Sequence, residues 1–199
     1  MQQKLNMLYD TKNELIKKAD QYVEDFGRMK SLLEKLGYIK GREFLPRGKF
    51  ALNVHVQEIL VTEMVFSGII EEWPVDVVAG ILAGVEYIPG RKEFIEVAPY
   101  NVDFIFDLRE QLIDMGVPKE QAIWSNAPGY IAYAWYNGYD FSHLLEVSSL
   151  QEGDIISIIR REIDLLRQIE KSAEDNPMLL KKVKDIRRIL DRDQMRVLL

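Results

Sequence analysis

Apolar residues recur every three or four positions along most of this chain, the spacing that gathers them on one face of an α-helix. Leu5, Leu8, Leu15, Ile16, Ala19, Tyr22, Val23, Phe26 and Met29 follow it at the start. They predict one long helix, or two joined near Gly27, which Leu32, Leu33 and Leu36 extend to a stop at Gly37. The period then breaks. Short apolar pairs around Gly41, Pro46 and Gly48 predict a small hairpin near residues 38–50, a wing rather than a sheet. Helical spacing returns from Val56 to Phe66 with a stop at Gly68, and again from Trp73-Pro74 to Val85, where proline suits the first turn. Asn101 to Met115 is amphipathic and ends at Gly116. An aromatic helix with Tyr133, Trp135 and Tyr136 ends at Gly138.

The two C-terminal helices are the best defined. From Gln151 to Ser172, Ile155, Ile159, Ile163, Leu166 and Ile169 form one stripe, widened by Ile158 and Leu165. Glu152 and Asp154 occupy its first turn, where negative charge complements the helix dipole. Asn176-Pro177 caps a last helix expected to run to about Val197. The predicted fold is all-α: a bundle of about nine helices with one winged-helix-like hairpin, in a single domain spanning residues 1–199.

Composition narrows the function. Hydrophobic residues make 47% of the chain and charged residues 29%, which suits a folded globule. There is no cysteine, so disulfides and thiolate metal sites are excluded and a reducing, cytoplasmic setting is expected. His55 and His143 are too few for a histidine metal cluster. No apolar run reaches membrane-spanning length and the N-terminus lacks a signal-peptide core, so no membrane partner is expected. The formal charge of −6 opposes coating by nucleic acid, and any RNA contact must come from a local basic strip. Gly48-Lys49 is followed by Phe50 and has Glu43 in place of the first glycine, so a phosphate-binding loop is missing. No catalytic residue and no metal ligand is expected.

That basic strip lies on the isoleucine-striped helix. Ser157, Arg161, Asp164 and Gln168, at steps of four, three and four, share one polar face, and Arg160 and Arg167 form a strip beside it. A solvated face held by Arg–Asp pairs would use the same spacing. So would a helix lying across single-stranded RNA, with arginine stacking on bases or gripping phosphates. Glu162 projects toward the isoleucine side, where an unpaired carboxylate is costly, so it is expected at the bundle edge or paired with a base. Glu63 is expected to cap or pair inside the bundle, Trp135 and Tyr133 to pack, and His143 to be a satisfied polar group.

Several segments carry a family likeness. Y-x-W-x-x-G-x-x-F at residues 133–141 precedes E-G-D-x-I-x-x-x-R-R-x-x-D-L-L-R-Q-I at residues 152–169. Upstream stand LGYI at residues 36–39, Arg47-Gly48-Lys49, ILVTEMVFSG at residues 59–68, an apolar helix at 77–85, and Tyr87, Pro89 and Arg91. In this order and spacing the chain resembles the C-terminal helical domain, often called DSHCT, of superkiller-type superfamily-2 RNA helicases. The resemblance implies an accessory domain whose ratchet helix guides single-stranded RNA leaving the two motor domains during unwinding, processing or decay. It implies the motor domains in cis or trans as partners, with an RNA-decay nuclease beyond them, and ATP and magnesium only through a motor core. By position, Arg161 matches the family's RNA-contacting arginine, Arg160 a commonly basic position and Asp164 a usual acid; Gln168 and Arg167 complete the candidate RNA-binding set. The chain departs from the pattern at Ile88, where the family often has a glutamate reaching toward RNA, with Glu86 two residues earlier. It departs again after Arg192-Asp193, where MRVLL replaces a small-residue ending. The alternative is a free-standing helical adaptor that docks a protein partner without touching RNA; an unrelated helical interaction domain is a third reading.

Overall fold

The computed structural model describes residues 2–195, with the side chains of residues 2–6, 8–10 and 194 excepted. The Leu5 and Leu8 side chains, and residues 196–199 that end the chain after Met195, lie outside the described residues. Within them the fold is all-α, with ten α-helices, two short 3-10 turns and one two-strand hairpin. The chain forms two compact units that divide between Leu45 and Pro46.

In the first unit α1 (Gln2–Lys35) is one uninterrupted helix, and Gly27 lies inside it rather than at a joint. It stops in a Schellman turn. The Tyr38 amide donates to Leu33 O at 2.9 Å, and Gly37 takes φ +76°, a left-handed conformation glycine adopts without penalty. The hairpin follows as β1 (Ile39–Lys40) and β2 (Glu43–Phe44), antiparallel with Ile39 opposite Phe44. It is narrower than the 38–50 span the sequence suggests. Pro46 pre-sets the first turn of a helix, so Pro46–Ala51 is α2 rather than a returning strand.

The second unit is a helical bundle. It comprises α2, α3 (Glu58–Phe66), α4 (Ile69–Glu72), α5 (Val75–Ala83), α6 (Asp103–Asp114), α7 (Gly129–Tyr136), α8 (Phe141–Glu146), α9 (Glu152–Ser172) and α10 (Pro177–Leu190). The single turn of α4 has too few residues to show a period in the sequence. It is held from outside: Lys182 donates to the carbonyls of Glu71 and Trp73 at its C-terminal end. Helix α9 is central, packed on α2, α5, α7 and α10, and its stripe from Ile155 to Ile169 is buried.

Helices α5 and α7 approach closely because glycine faces glycine. A methyl group at Gly80 would sit 2.0 Å from the Tyr100 hydroxyl, and one at Gly129 would sit 2.4 Å from it. The Tyr100 phenol thus fills the notch where two side chains are missing. Helix α10 stops at Leu190 rather than near Val197, and the chain folds back onto α7. There the Arg192 guanidinium lies 3.7 Å from the centre of the Trp135 ring and donates to the carbonyls of Trp135 and Tyr139 at 2.9 Å each. Trp135 is itself buried and donates to Leu190 O at 2.9 Å, a packing role that also covers Tyr133, whose ring tilts against Tyr100. No helix among the described residues is long and apolar enough to cross a membrane.

Candidate nucleic-acid interface

Helix α9 positions the candidate residues by its own periodicity. Its start is fixed by Asp154, whose carboxylate accepts from the Gln151 amide at 3.2 Å. With the isoleucines turned inward, Arg160, Arg161 and Asp164 are left exposed on the opposite side. Asp164 and Arg167 pair at 2.7 Å, and Arg167 also stands 3.9 Å from Asp191 just beyond α10. Gln168 accepts from the backbone amide of His55 at 2.7 Å, which ties α9 to the loop before α3. Arg161 forms no salt bridge among the described residues.

The turn after α5 comes up against Arg161. Val85 bridges to Trp124, and the Glu86 amide donates to Ile123 O at 2.9 Å. These contacts hold Glu86 at φ +58°, a conformation that costs a non-glycine residue and is kept only where its surroundings impose it. Tyr87 follows, largely buried, with its hydroxyl donating to Glu93. Burial and the Glu93 hydrogen bond push the Tyr87 phenol well above its usual range, so it stays neutral. The Arg161 guanidinium lies 5.7 Å from the centre of that ring.

Two adjoining cavities result. The larger, open and about 450 Å³, is lined by Glu86, Tyr87, Ile88, Glu93, Asp154, Ser157 and Arg161 among others. The smaller, about 160 Å³, is lined by Arg161, Glu162, Asp164, Gln168 and Glu86 over apolar walls from Leu82, Ala83, Val85 and Leu165. The structure therefore brings Arg161, Asp164 and Gln168 to one place, whereas neither Arg160 nor Arg167 lines either cavity. Glu86 shares both cavities with Arg161, while Ile88 is 73% exposed. The sequence signal for Glu86 was only its place beside the Tyr87–Pro89 turn.

Glu162 corrects the expectation of an edge position. It is 2% exposed, and neither carboxyl oxygen has a hydrogen-bond partner. Its helical angle points it into the seam with α5, whose Leu82 and Ala83 line the same small cavity. Burial pushes the carboxyl well above the usual carboxylate range and favours its neutral form. Glu63 does pair inside the bundle, accepting from Arg47 at 2.9 Å. His143 lies 3.3 Å from the Tyr130 hydroxyl with the Tyr139 ring beside it, a satisfied polar group. Among the described residues no cluster of histidine, cysteine or acidic side chains could hold a metal ion.

Comparison with known proteins accords with this architecture. The model of the DSHCT (NUC185) domain matches residues 42–196. The chain is 27% identical over 187 residues to "mRNA transport homolog 4" of Caenorhabditis elegans, covering 86% of this chain and 18% of that protein. It is 26% identical over 166 residues to "DExH-box ATP-dependent RNA helicase DExH9" of Arabidopsis thaliana, covering 77% and 17% respectively. Against "Exosome RNA helicase MTR4" of Homo sapiens it is 22% identical over 158 residues, 73% of this chain and 15% of the relative. The chain thus spans less than a fifth of the length of these relatives. With most of its residues matched by the family model, the chain belongs to the DSHCT family, the C-terminal helical domain of superkiller-type superfamily-2 RNA helicases.

Proposed function

We propose that this non-catalytic accessory domain guides single-stranded RNA as it leaves a helicase motor, with α9 as the ratchet helix and Arg161 as its principal contact. The observation that carries the reading is Arg161 itself: exposed, without a salt bridge among the described residues, set over Tyr87 and lining two cavities. Asp164 and Gln168 hold the strip in place through Arg167 and His55, and Arg160 adds a second exposed cation. An arginine beside an aromatic ring can stack on a base or grip a phosphate without needing a particular sequence. The motor domains, in cis or in trans, are the partners that would supply ATP hydrolysis, and an RNA-decay nuclease is the further partner that unwinding would serve.

The test is made in a complete helicase that contains this domain. Arg161→Ala should reduce duplex unwinding more than basal ATP hydrolysis, because the motor's chemistry lies outside this chain. Unchanged unwinding would make the strip a solvated face and favour the adaptor reading, in which the domain docks a protein without touching RNA.

A further inference from the structure

Helix α1 carries an apolar stripe that its middle turns leave in water. Among the described residues its compact unit holds α1 and the two-strand hairpin and no other element, although α1 runs for 34 residues. Along it Leu15, Ala19, Tyr22, Phe26, Met29 and Leu33 follow one another at steps of four and three, the heptad spacing of a coiled-coil seam. Leu15, Tyr22 and Met29 take the d positions, and Ala19, Phe26 and Leu33 take the a positions. Ile16 and Val23 then fall at the flanking e positions, with Lys18 and Asp25 at the flanking g positions. Leu15, Tyr22, Val23 and Phe26 are each between 61% and 72% exposed. A contiguous apolar stripe of this kind, edged by charge, marks a surface that another element covers.

We propose that this stripe pairs with the α1 stripe of a second copy of this chain, as an antiparallel coiled coil about a two-fold axis. When the helices run in opposite directions, each a position packs on a d position of the partner, g flanks g, and e flanks e. An axis between Asp20 and Gln21 sets Phe26 on the partner's Leu15 and Ala19 under the partner's Tyr22, so a small side chain meets a large ring. The same register brings Lys18 beside the partner's Asp25, twice by symmetry, and Ile16 against the partner's Val23. Sliding one helix by a heptad in either direction places Lys18 on Lys18 or Asp25 on Asp25, a like-charge pairing that opposes association. A parallel pair in register stacks Ala19 on Ala19 and Lys12 on Lys12, which leaves a gap and a repelling pair in the seam. The antiparallel register sets Lys12 opposite Met29 instead, and the lysine stem can lie along the methionine. Lys18 is exposed and in no salt bridge among the described residues, while Arg28 and Gln21 of the same helix hold Asp25 at the surface.

Sedimentation equilibrium of the full chain across micromolar concentrations is the test, and the mass should rise to that of two chains. Phe26→Ala removes a seam ring from both helices and should raise the dissociation constant about a hundredfold, taking about tenfold for each buried interface aromatic. Lys18→Glu and Asp25→Lys should each weaken the dimer about fivefold, because each turns two attractions into two repulsions. The combined variant exchanges the two charges and should return to within about twofold of the parent chain. That rescue is specific to the antiparallel register. Lys18 and Asp25 stand two turns apart on one helix and do not meet within a copy, and a parallel pair would set Asp25 beside Lys30 instead. Circular dichroism of each variant checks that α1 stays helical, since all three positions are exposed. A parent chain that stays monomeric at every concentration would overturn the proposal and leave the stripe to a different helix. A dimer that Phe26→Ala leaves intact would overturn it too, because its interface would lie elsewhere. Failure of the charge exchange to restore association would overturn the antiparallel pairing.

Discussion

The guanidinium of Arg161 lies 5.7 Å from the centre of the Tyr87 ring, so the exposed face of α9 and the turn after α5 meet through one cation and one aromatic ring. An exposed contact of this kind is worth roughly 0.5–1 kcal/mol. Stacking a base is worth about 1–3 kcal/mol, so an arriving base can share or replace the tyrosine without a net penalty. On the proposed RNA-guiding reading, Tyr87 positions the arginine rather than sequestering it. Tyr87→Leu should weaken RNA binding by about 0.5–1 kcal/mol, less than loss of Arg161 itself. Anisotropy titration of both variants gives the order, and a Tyr87→Leu loss larger than that of Arg161→Ala would contradict it.

Glu162 predicts an unusual dependence of stability on pH. Its folded-state pKa is raised above the ordinary 4.5, so the folded chain holds this proton more tightly than the unfolded chain does. The stability tied to that proton is fully present below the unfolded value and is lost as pH rises through the folded one. As pH is raised from about 4.5 through neutrality, the range over which the unfolded chain gives up this proton, the parent chain should become less stable relative to Glu162→Leu. At neutral pH that variant should be more stable by on the order of 1–3 kcal/mol, the usual cost of a buried unsatisfied group. Urea melts across this range decide it, and a constant difference between the two proteins would refute the buried-acid assignment.

The Arg192 contact should matter for the whole bundle. Its guanidinium covers Trp135 and satisfies the carbonyls of Trp135 and Tyr139, closing the end of α7. Arg192→Ala should cost about 2 kcal/mol, combining a partly desolvated cation–π contact with charge-assisted hydrogen bonds. Arg192→Lys should recover little, because an ammonium cannot lie flat on the ring and reach both carbonyls. Equal stability of the Arg192→Lys variant and the parent chain in urea would show that only the charge counts.

The close approach of α5 and α7 gives a paired prediction. Gly80→Ala drives a methyl group into the Tyr100 hydroxyl and should cost roughly 1–3 kcal/mol through overpacking. The Tyr100 hydroxyl has no hydrogen-bond partner, so Tyr100→Phe alone should be close to neutral. In the double variant it should relieve part of the clash. Additive losses in a double-mutant cycle would mean that the two groups do not meet.

Much of this was legible in the sequence, for reasons that differ by element. The α9 stripe was readable because seven buried apolar positions from Ile155 to Ile169 all obey the helical period. The same period placed Arg161 outside without any structure. Short-range chemistry was less visible. Pro46 looked like part of a turn, yet its fixed φ starts α2, and α4 exists because Lys182 reaches its last carbonyls from α10. Helical angle alone turned Glu162 inward, but only the packing against α5 shows that its carboxyl finds no hydrogen-bond partner there. The meeting of Glu86 with Arg161 depends on a left-handed residue and a bridge to Trp124, neither of which has a periodic signature.

The central claim is that α9 touches RNA through Arg161, and its most direct measurement is the affinity of the full chain for single-stranded RNA as salt is varied. The parent chain should bind weakly, with a shallow slope against log salt set by about two or three phosphate contacts. Arg161→Ala should lower affinity by roughly 1–3 kcal/mol at fixed salt. Loss of a phosphate contact would also reduce the slope by about 0.7, the single-strand value per contact. Identical affinity and slope for the parent chain and Arg161→Ala would contradict the account.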